Sequence, residues 1–321
     1  MSEKPKILAI VGPTASGKTA LSIALAHALD GEIVSCDSMQ IYRGMDIGTA
    51  KPSMAEQEGI PHHLIDIADP DQPFSVADYV VAAERAVQDI LSRGKLPIFC
   101  GGTGLYLDAF LRGGLSEAPG ANEALREELF AIAQNEGEDA LHTMLAEVDP
   151  ESAAATHKSN VRRVVRALEI YRLTGVTKTE WDRRSREIPT RYNAAVICLT
   201  FTDRSLLYDR IERRVDAMLA DGLLEETRQL LADGVFERSS TAAAAIGYKE
   251  LLPYLAGNTT LEAAVTELKT ATRRYAKRQL TWFLAKDYVR VMPVDEGGYV
   301  RKSEEIVNNA SMIARDAWCM L

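Results

Sequence analysis

Cysteine is scarce in this chain. Four stand in 321 residues, Cys36, Cys100, Cys198 and Cys319, widely spaced and with no C-x-x-C pair. That spacing excludes a disulfide framework and a cysteine-built zinc centre. Cys36, Cys100 and Cys198 fall in or at the ends of apolar, strand-like runs and read as small buried thiols. The five histidines (His27, His62, His63, His142 and His157) show no metal-ligand spacing. No apolar run approaches the roughly 18 residues of a membrane span, so no membrane partner is expected. Met1-Ser2-Glu3-Lys4-Pro5 leads straight into the first strand-like run and leaves no room for a cleavable signal, which makes a cytoplasmic location the expectation. Internal repeats and low-complexity tracts are absent too, and no obligate protein partner is evident.

Charge is present but segregated. The net charge is −9, and residues 113–157, with ten acids and the single base Arg126, account for all of it. Residues 158–191 hold ten bases against four acids, and six bases with no acid lie between Lys269 and Lys286. Local fields decide phosphate binding more than the total does, so an acidic chain with two basic stretches does not exclude a nucleic-acid partner.

The strongest motif is Gly12-Pro13-Thr14-Ala15-Ser16-Gly17-Lys18-Thr19. It fits the G-x-x-x-x-G-K-[ST] phosphate loop of nucleotide-binding (ATP-binding) folds, and the β-branched run before it and helical pattern after it supply the required context. Backbone N–H groups converge there on a polyphosphate at a helix N-terminus. Lys18 neutralises the outer phosphates, and the Thr19 hydroxyl is the candidate ligand for Mg²⁺. Whether the phosphoryl group is transferred or the phosphates are discarded is not decided by the loop.

Strand patterns at 6–11, 32–36 and 96–100 alternate with helical ones at 17–29 and 76–92, the second opened by a capping box, Ser75-Val76-Ala77-Asp78. Such alternation implies a parallel sheet covered by helices. Further helical periods lie at 122–148, 159–174, 204–220, 223–232, 248–256, 261–286 and 303–318, with strands at 194–201 and 289–292. The expected fold is α/β, a P-loop NTPase-like parallel-sheet core with a helical insertion domain. Residues 1–115 and about 160–321 form the core, and about 116–159 the acidic insertion.

Two further strand ends point at the ligand crevice of such a sheet. Asp37-Ser38 follows the second strand, where Asp37 accepts a proton, helps hold Mg²⁺ or only caps the next turn. Gly101-Gly102-Thr103 follows the third, where the glycines allow close backbone approach and Thr103 either bonds a phosphate or caps the helix. Arg210 and Arg214 share a helix face that suits phosphate and solvent equally. In the 261–286 helix, Arg273, Arg274, Lys277 and Arg278 are interleaved with Tyr275, Trp282 and Phe283, a pattern open to both base stacking and ordinary core.

Taken together, these residues resemble the tRNA dimethylallyltransferase (tRNA isopentenyltransferase) family. The resemblance rests on the phosphate loop, Asp37-Ser38-Met39-Gln40-Ile41-Tyr42, Met45-Asp46-Ile47-Gly48-Thr49-Ala50-Lys51-Pro52, Pro61-His62-His63-Leu64, Gly101-Gly102-Thr103-Gly104-Leu105-Tyr106, Ala245-Ile246-Gly247-Tyr248-Lys249-Glu250 and Ala276-Lys277-Arg278-Gln279-Leu280-Thr281-Trp282. It implies transfer of a dimethylallyl group from dimethylallyl diphosphate to N6 of the adenosine beside the anticodon of a tRNA, with Mg²⁺ as cofactor. Asp37 is then the base, while Lys18 and Thr103 support departure of diphosphate held by residues 12–19, Arg210 and Arg214. The anticodon arm falls to Asp37, Ser38, Met39, Gln40, Thr103, Arg162, Arg163, Arg166, Gly247, Tyr248, Lys249, Arg273, Arg274, Lys277 and Arg278. The competing readings are a prenyltransferase of free AMP, ADP or ATP, a P-loop kinase, and an RNA-binding protein with a vestigial loop.

Overall fold

A computed structural model describes residues 4–112 and 120–319. Six parallel strands form the central sheet: β1 (Lys6–Val11), β2 (Gly31–Ser35), β3 (His62–His63), β4 (Leu96–Gly101), β5 (Asn193–Thr200) and β6 (Val289–Pro293), in the order β3-β2-β4-β1-β5-β6. β1 is central, and five of its six residues are buried, as an apolar run in a sheet covered on both faces must be. Successive residues alternate between two cores. Ile7, Ala9 and Val11 join Val34, Phe99 and Val196 on one face, and Leu8 and Ile10 join Ile33, Ile98 and Ile197 on the other.

Helix α1 (Lys18–Leu29) covers the second face. On the first face lie α2 (Val76–Ser92), with the expected capping box at Ser75 and Asp78, and α3 (Gly104–Arg112). Next along the chain come α4 (Glu123–Asn135), α5 (Glu138–Val148), α6 (Pro150–Ala155), α7 (Val161–Thr174) and α8 (Lys178–Glu187). After β5 follow α9 (Arg204–Ala220), α10 (Leu223–Ala232), two one-turn helices α11 (Val235–Arg238) and α12 (Ser240–Ala243), α13 (Leu252–Leu255) and the long α14 (Leu261–Leu284). A short hairpin, Asp295–Glu296 with Tyr299–Val300, precedes α15 (Ser303–Cys319). Among the described residues no helix is long and apolar enough to cross a membrane.

The chain divides into two compact units, Met1–Leu111 with Arg191–Leu321, and Arg112–Thr190. The rejoining point is therefore residue 191 rather than about 160; the expected start near 116 lies outside the described residues. The charge reversal at Lys158 suggested a border, but packing follows apolar faces. Val164, Val165 and Leu168 of α7 close one core with Leu129 of α4 and Leu141 and Leu145 of α5. The buried Glu169 adds a polar tie, accepting from Asn122 N at 2.8 Å and pairing with Arg126 and Arg166. Gly137, at φ +95°, splits the expected 122–148 helix in two. The expected 248–256 helix is mostly turn, helical only at Leu252–Leu255.

Candidate active site at the carboxyl edge of the sheet

The loop between β1 and α1 has the backbone that a phosphate cradle requires. Gly12 sits at φ +132°, where a Cβ would lie 2.6 Å from the Leu199 carbonyl oxygen, so glycine alone passes β5 at that point. Gly17 caps α1 in a left-handed conformation without a side-chain acceptor, which leaves the first-turn N–H groups for a ligand. The Ser16 hydroxyl is buried and has no hydrogen-bond partner. Lys18 Nζ donates to the Pro13 carbonyl at 2.6 Å. Burial pulls the Lys18 pKa down to about 8, Arg214 adds to the depression, and Asp37 opposes it.

A cleft of about 1200 Å³ opens beside the loop. Arg210 and Arg214 line it. Arg210 Nε donates to the Ala15 carbonyl at 2.7 Å. Burial lowers the Arg214 pKa, and Asp37 and Glu56 counter it, so the guanidinium and the Asp37 carboxylate share one field.

Asp37 follows β2, and its Oδ1 accepts from Met39 N at 2.9 Å. It therefore does cap the turn, a bond that fixes the carboxylate and leaves a second oxygen. Thr103 Oγ1 accepts from Ser38 N at 3.0 Å, and Thr103 N donates to the Cys36 carbonyl at 3.1 Å. The ends of β2 and β4 are thereby laced together. A Cβ on Gly101 would lie 2.1 Å from the Cys36 oxygen, the reason for glycine there. Lys18, Asp37 and Thr103 thus follow the carboxyl ends of three neighbouring strands, β1, β2 and β4.

Two residues of α14, read from sequence only as parts of a basic, aromatic helix and its 276–282 motif, turn toward the phosphate loop and Thr103. Gln279, buried, accepts from Thr14 N at 2.8 Å and donates to the Gly102 carbonyl at 3.1 Å, bridging the phosphate loop to the end of β4. One turn earlier Tyr275 lies beside Thr103, and burial followed by the Asp37 charge pushes its phenol well up, keeping it neutral. A lone glutamine on an otherwise apolar helix face was the available signal. On the outer face Arg274, Lys277 and Arg278 are exposed, while Arg273 is half-buried and engaged by Glu212.

Other expected RNA contacts need correction. Gly247 and Tyr248 are buried; the tyrosine is a core residue whose hydroxyl donates to Glu226, so of that trio only Lys249 faces solvent. Gln40 spends its carboxamide internally, donating to the Thr49 and Ala50 carbonyls and accepting from Ser35. Arg162, Arg163 and Arg166 belong to the other unit. There Arg166 pairs with Glu169, whereas Arg162 and Arg163 are exposed in the first turn of α7.

For Mg²⁺, no group of three His, Cys, Asp or Glu residues converges among the described residues. That fits an ion held by one or two protein groups and substrate phosphates, not an all-protein cage. Thr19, half-buried at the start of α1, and Asp37 are the residues that would hold it.

Known proteins resemble this chain over most of its length. The IPP transferase family description matches residues 40–286. The tRNA dimethylallyltransferase of Halalkalibacterium halodurans is 50% identical over 305 residues, 95% of this chain and 96% of that one. The tRNA dimethylallyltransferase of Geobacillus thermodenitrificans is 53% identical over 279 residues, 87% of each. Among solved structures, the full-length tRNA isopentenylpyrophosphate transferase from Bacillus halodurans superposes with a TM-score of 0.70 at 46% identity, covering 99% of both chains. A eukaryotic dimethylallyltransferase acting on tRNA gives 0.76 at 31% identity, over 90% of this chain and 74% of that one. A phosphate loop laced to two further strand ends, and relatives matching it over nearly their whole length, place this chain in the IPP transferase family of tRNA-modifying prenyltransferases.

Proposed function

We propose that this enzyme moves the dimethylallyl group of dimethylallyl diphosphate to the exocyclic N6 of the adenosine next to the anticodon, releasing pyrophosphate. The observation that carries the reading is the joining of Lys18, Asp37 and Thr103 at one strand edge, with Gln279 tying the phosphate loop to it. The diphosphate lies against the loop N–H groups, Lys18, Arg210 and Arg214. The N6 nitrogen attacks the allylic carbon, and its proton passes to the free oxygen of Asp37. As the C–N bond forms, the C–O bond breaks and its electron pair leaves on the diphosphate. Lys18 and the arginines are aimed at the charge growing there, worth several kcal/mol where water is excluded, about 3 per well-placed donor. Mg²⁺, when bound through Thr19 and the phosphates, supplies further charge neutralisation to the leaving group. The loop thus holds a leaving group, not a nucleotide to be cleaved.

The acceptor adenine must leave its stack to reach the crevice. Arg274, Lys277, Arg278 and Lys249 supply positive charge for the anticodon arm, a surface that a prenyltransferase of free AMP does not need. Incubation with Mg²⁺, dimethylallyl diphosphate, unmodified tRNA and AMP together, followed by digestion and mass analysis, separates the readings. Prenyl-adenosine in the tRNA fraction alone is expected, and Asp37→Ala should nearly abolish it while leaving tRNA affinity within a few fold. Product on AMP would make this a free-nucleotide enzyme; ATP-dependent phosphorylation without prenyl transfer would make it a kinase.

A further inference from the structure

Glu226 of α10 lies far along the chain from residues 46–48, yet its carboxylate holds all three of their backbone amides. It accepts from Asp46 N at 3.0 Å, Ile47 N at 2.8 Å and Gly48 N at 3.0 Å, and from the Tyr248 hydroxyl at 2.7 Å. No lysine or arginine among the described residues pairs with it. Three consecutive N–H groups aimed at one carboxylate form an anion-holding concavity, filled here by the protein's own side chain. Tyr248, wholly buried, is pushed up by burial and by the Glu226 charge and stays a neutral donor. The fit has no slack. A Cβ on Gly48 would lie 2.4 Å from the Tyr248 ring, and one on Gly247 3.0 Å from the Gly48 oxygen.

The loop held in this way serves the site from two sides. Its Thr49 and Ala50 carbonyls both accept from Gln40 Nε2 at 3.2 Å, and Gln40 Oε1 accepts from Ser35 at 3.0 Å. That fixes both ends of the short turn carrying Asp37. Asp46, Ile47, Ala50 and Lys51 of the same loop also line the cleft beside the phosphate loop.

We propose that Glu226 is a positioning residue for prenyl transfer, clamping residues 46–51 so that the donor cleft and the Asp37 turn keep one geometry. The proposal rests on the assignment of that cleft to the prenyl donor. Glu226→Gln keeps the shape of the side chain, but its NH₂ must now face N–H groups, so at least one amide loses its acceptor. KM for dimethylallyl diphosphate and the Kd for pyrophosphate by calorimetry should each rise about tenfold, as when about a tenth of the free enzyme keeps the cleft in its binding geometry. Tm should stay within a few degrees of the parent. Glu225→Gln, one residue earlier and paired with Arg228 on the surface, should leave both constants unchanged. A merely structural role would lower Tm and the active fraction but leave KM and the pyrophosphate Kd of the surviving enzyme alone, and that result overturns the proposal. If Glu226→Gln does not fold, Glu226→Asp withdraws the carboxylate by one methylene and carries the same expectation for pyrophosphate. Unmodified enzyme run alongside separates the two claims. Should it bind pyrophosphate without prenylating tRNA, the functional reading fails, while the Glu226 effect on pyrophosphate still decides the clamp.

Discussion

Lys18 is placed so that its charge depends on what the loop holds. Burial depresses its pKa to about 8, whereas a diphosphate beside it restores the preference for the ammonium. For a base with a depressed folded pKa, the sign runs against the empty fold. Above the unfolded value of 10.5 the lysine is neutral in both states and costs nothing. As pH falls toward 8 the unfolded chain takes up the proton first, so the empty protein loses stability over that window. Below about 8 the penalty is constant. Function runs the other way: kcat/KM for the donor should fall as pH rises through about 8, because the free enzyme loses the cation that meets the diphosphate. At pH 8.5, calorimetry of pyrophosphate binding in buffers of different ionisation heat should show net proton uptake, absent in Lys18→Met. A kcat/KM flat to pH 9.5 would remove the lysine from donor binding. The motif identified Lys18 from sequence, but the burial that sets its pKa was not legible there, nor were the charges on other parts of the chain that modulate it, Arg214 lowering it and Asp37 raising it.

At the scale of an element, α14 shows both the reach and the limit of periodicity. Spacing put Arg274 and Arg278 together and interleaved them with aromatics, leaving both stacking and core open. The fold gives each side its own task. Phe283 and Gln279 are buried on the inner side, while Arg274, Lys277 and Arg278 face solvent. Gly102 and Gly104 exist for this helix, since a Cβ on Gly104 would lie 2.1 Å from Trp282 and one on Gly102 1.8 Å from Gln279. Gln279→Leu would strand the Thr14 N–H and the Gly102 carbonyl in a buried place, a loss of roughly 1–3 kcal/mol for each unsatisfied group. The expected result is a Tm lowered by several degrees together with a weaker pyrophosphate Kd, because the stranded N–H belongs to the phosphate loop. An unchanged Kd would confine Gln279 to stability. Tyr248 shows why such roles are hard to read from sequence. A motif marks a position as needed, but only the contacts distinguish touching a ligand from holding the loop that does.

The whole molecule distributes charge between two units by a rule that composition does not reveal. Ten bases between 158 and 191 make a basic stretch of sequence, yet most of those described are engaged within their own unit. Lys158 pairs with Asp139, Arg172 with Glu128, Lys178 with Asp182, and Arg183 and Arg184 share Glu180. The first two of these pairs tie the acidic helices to the basic stretch, so the border drawn from charge fell about thirty residues short. Arg162 and Arg163 stand apart from these pairs. Both are exposed in the first turn of α7, whose cap residue Asn160 makes no side-chain bond to the helix N–H groups. Two guanidinium groups at an uncapped helix N-terminus suit phosphate, so this is where the unit should meet the tRNA backbone. Replacing both with glutamine should weaken tRNA binding roughly tenfold at low salt and flatten the slope of log K against log salt by about 1–2, as loss of two phosphate contacts requires. Pyrophosphate binding should not change, because the donor residues belong to the other unit. The same change at Arg183 and Arg184 should do far less, since removing bases already paired with Glu180 and Glu187 alters the net field with no loss of a phosphate contact. Equal effects from the two pairs would mean that the unit acts through its total charge rather than through a site at the head of α7.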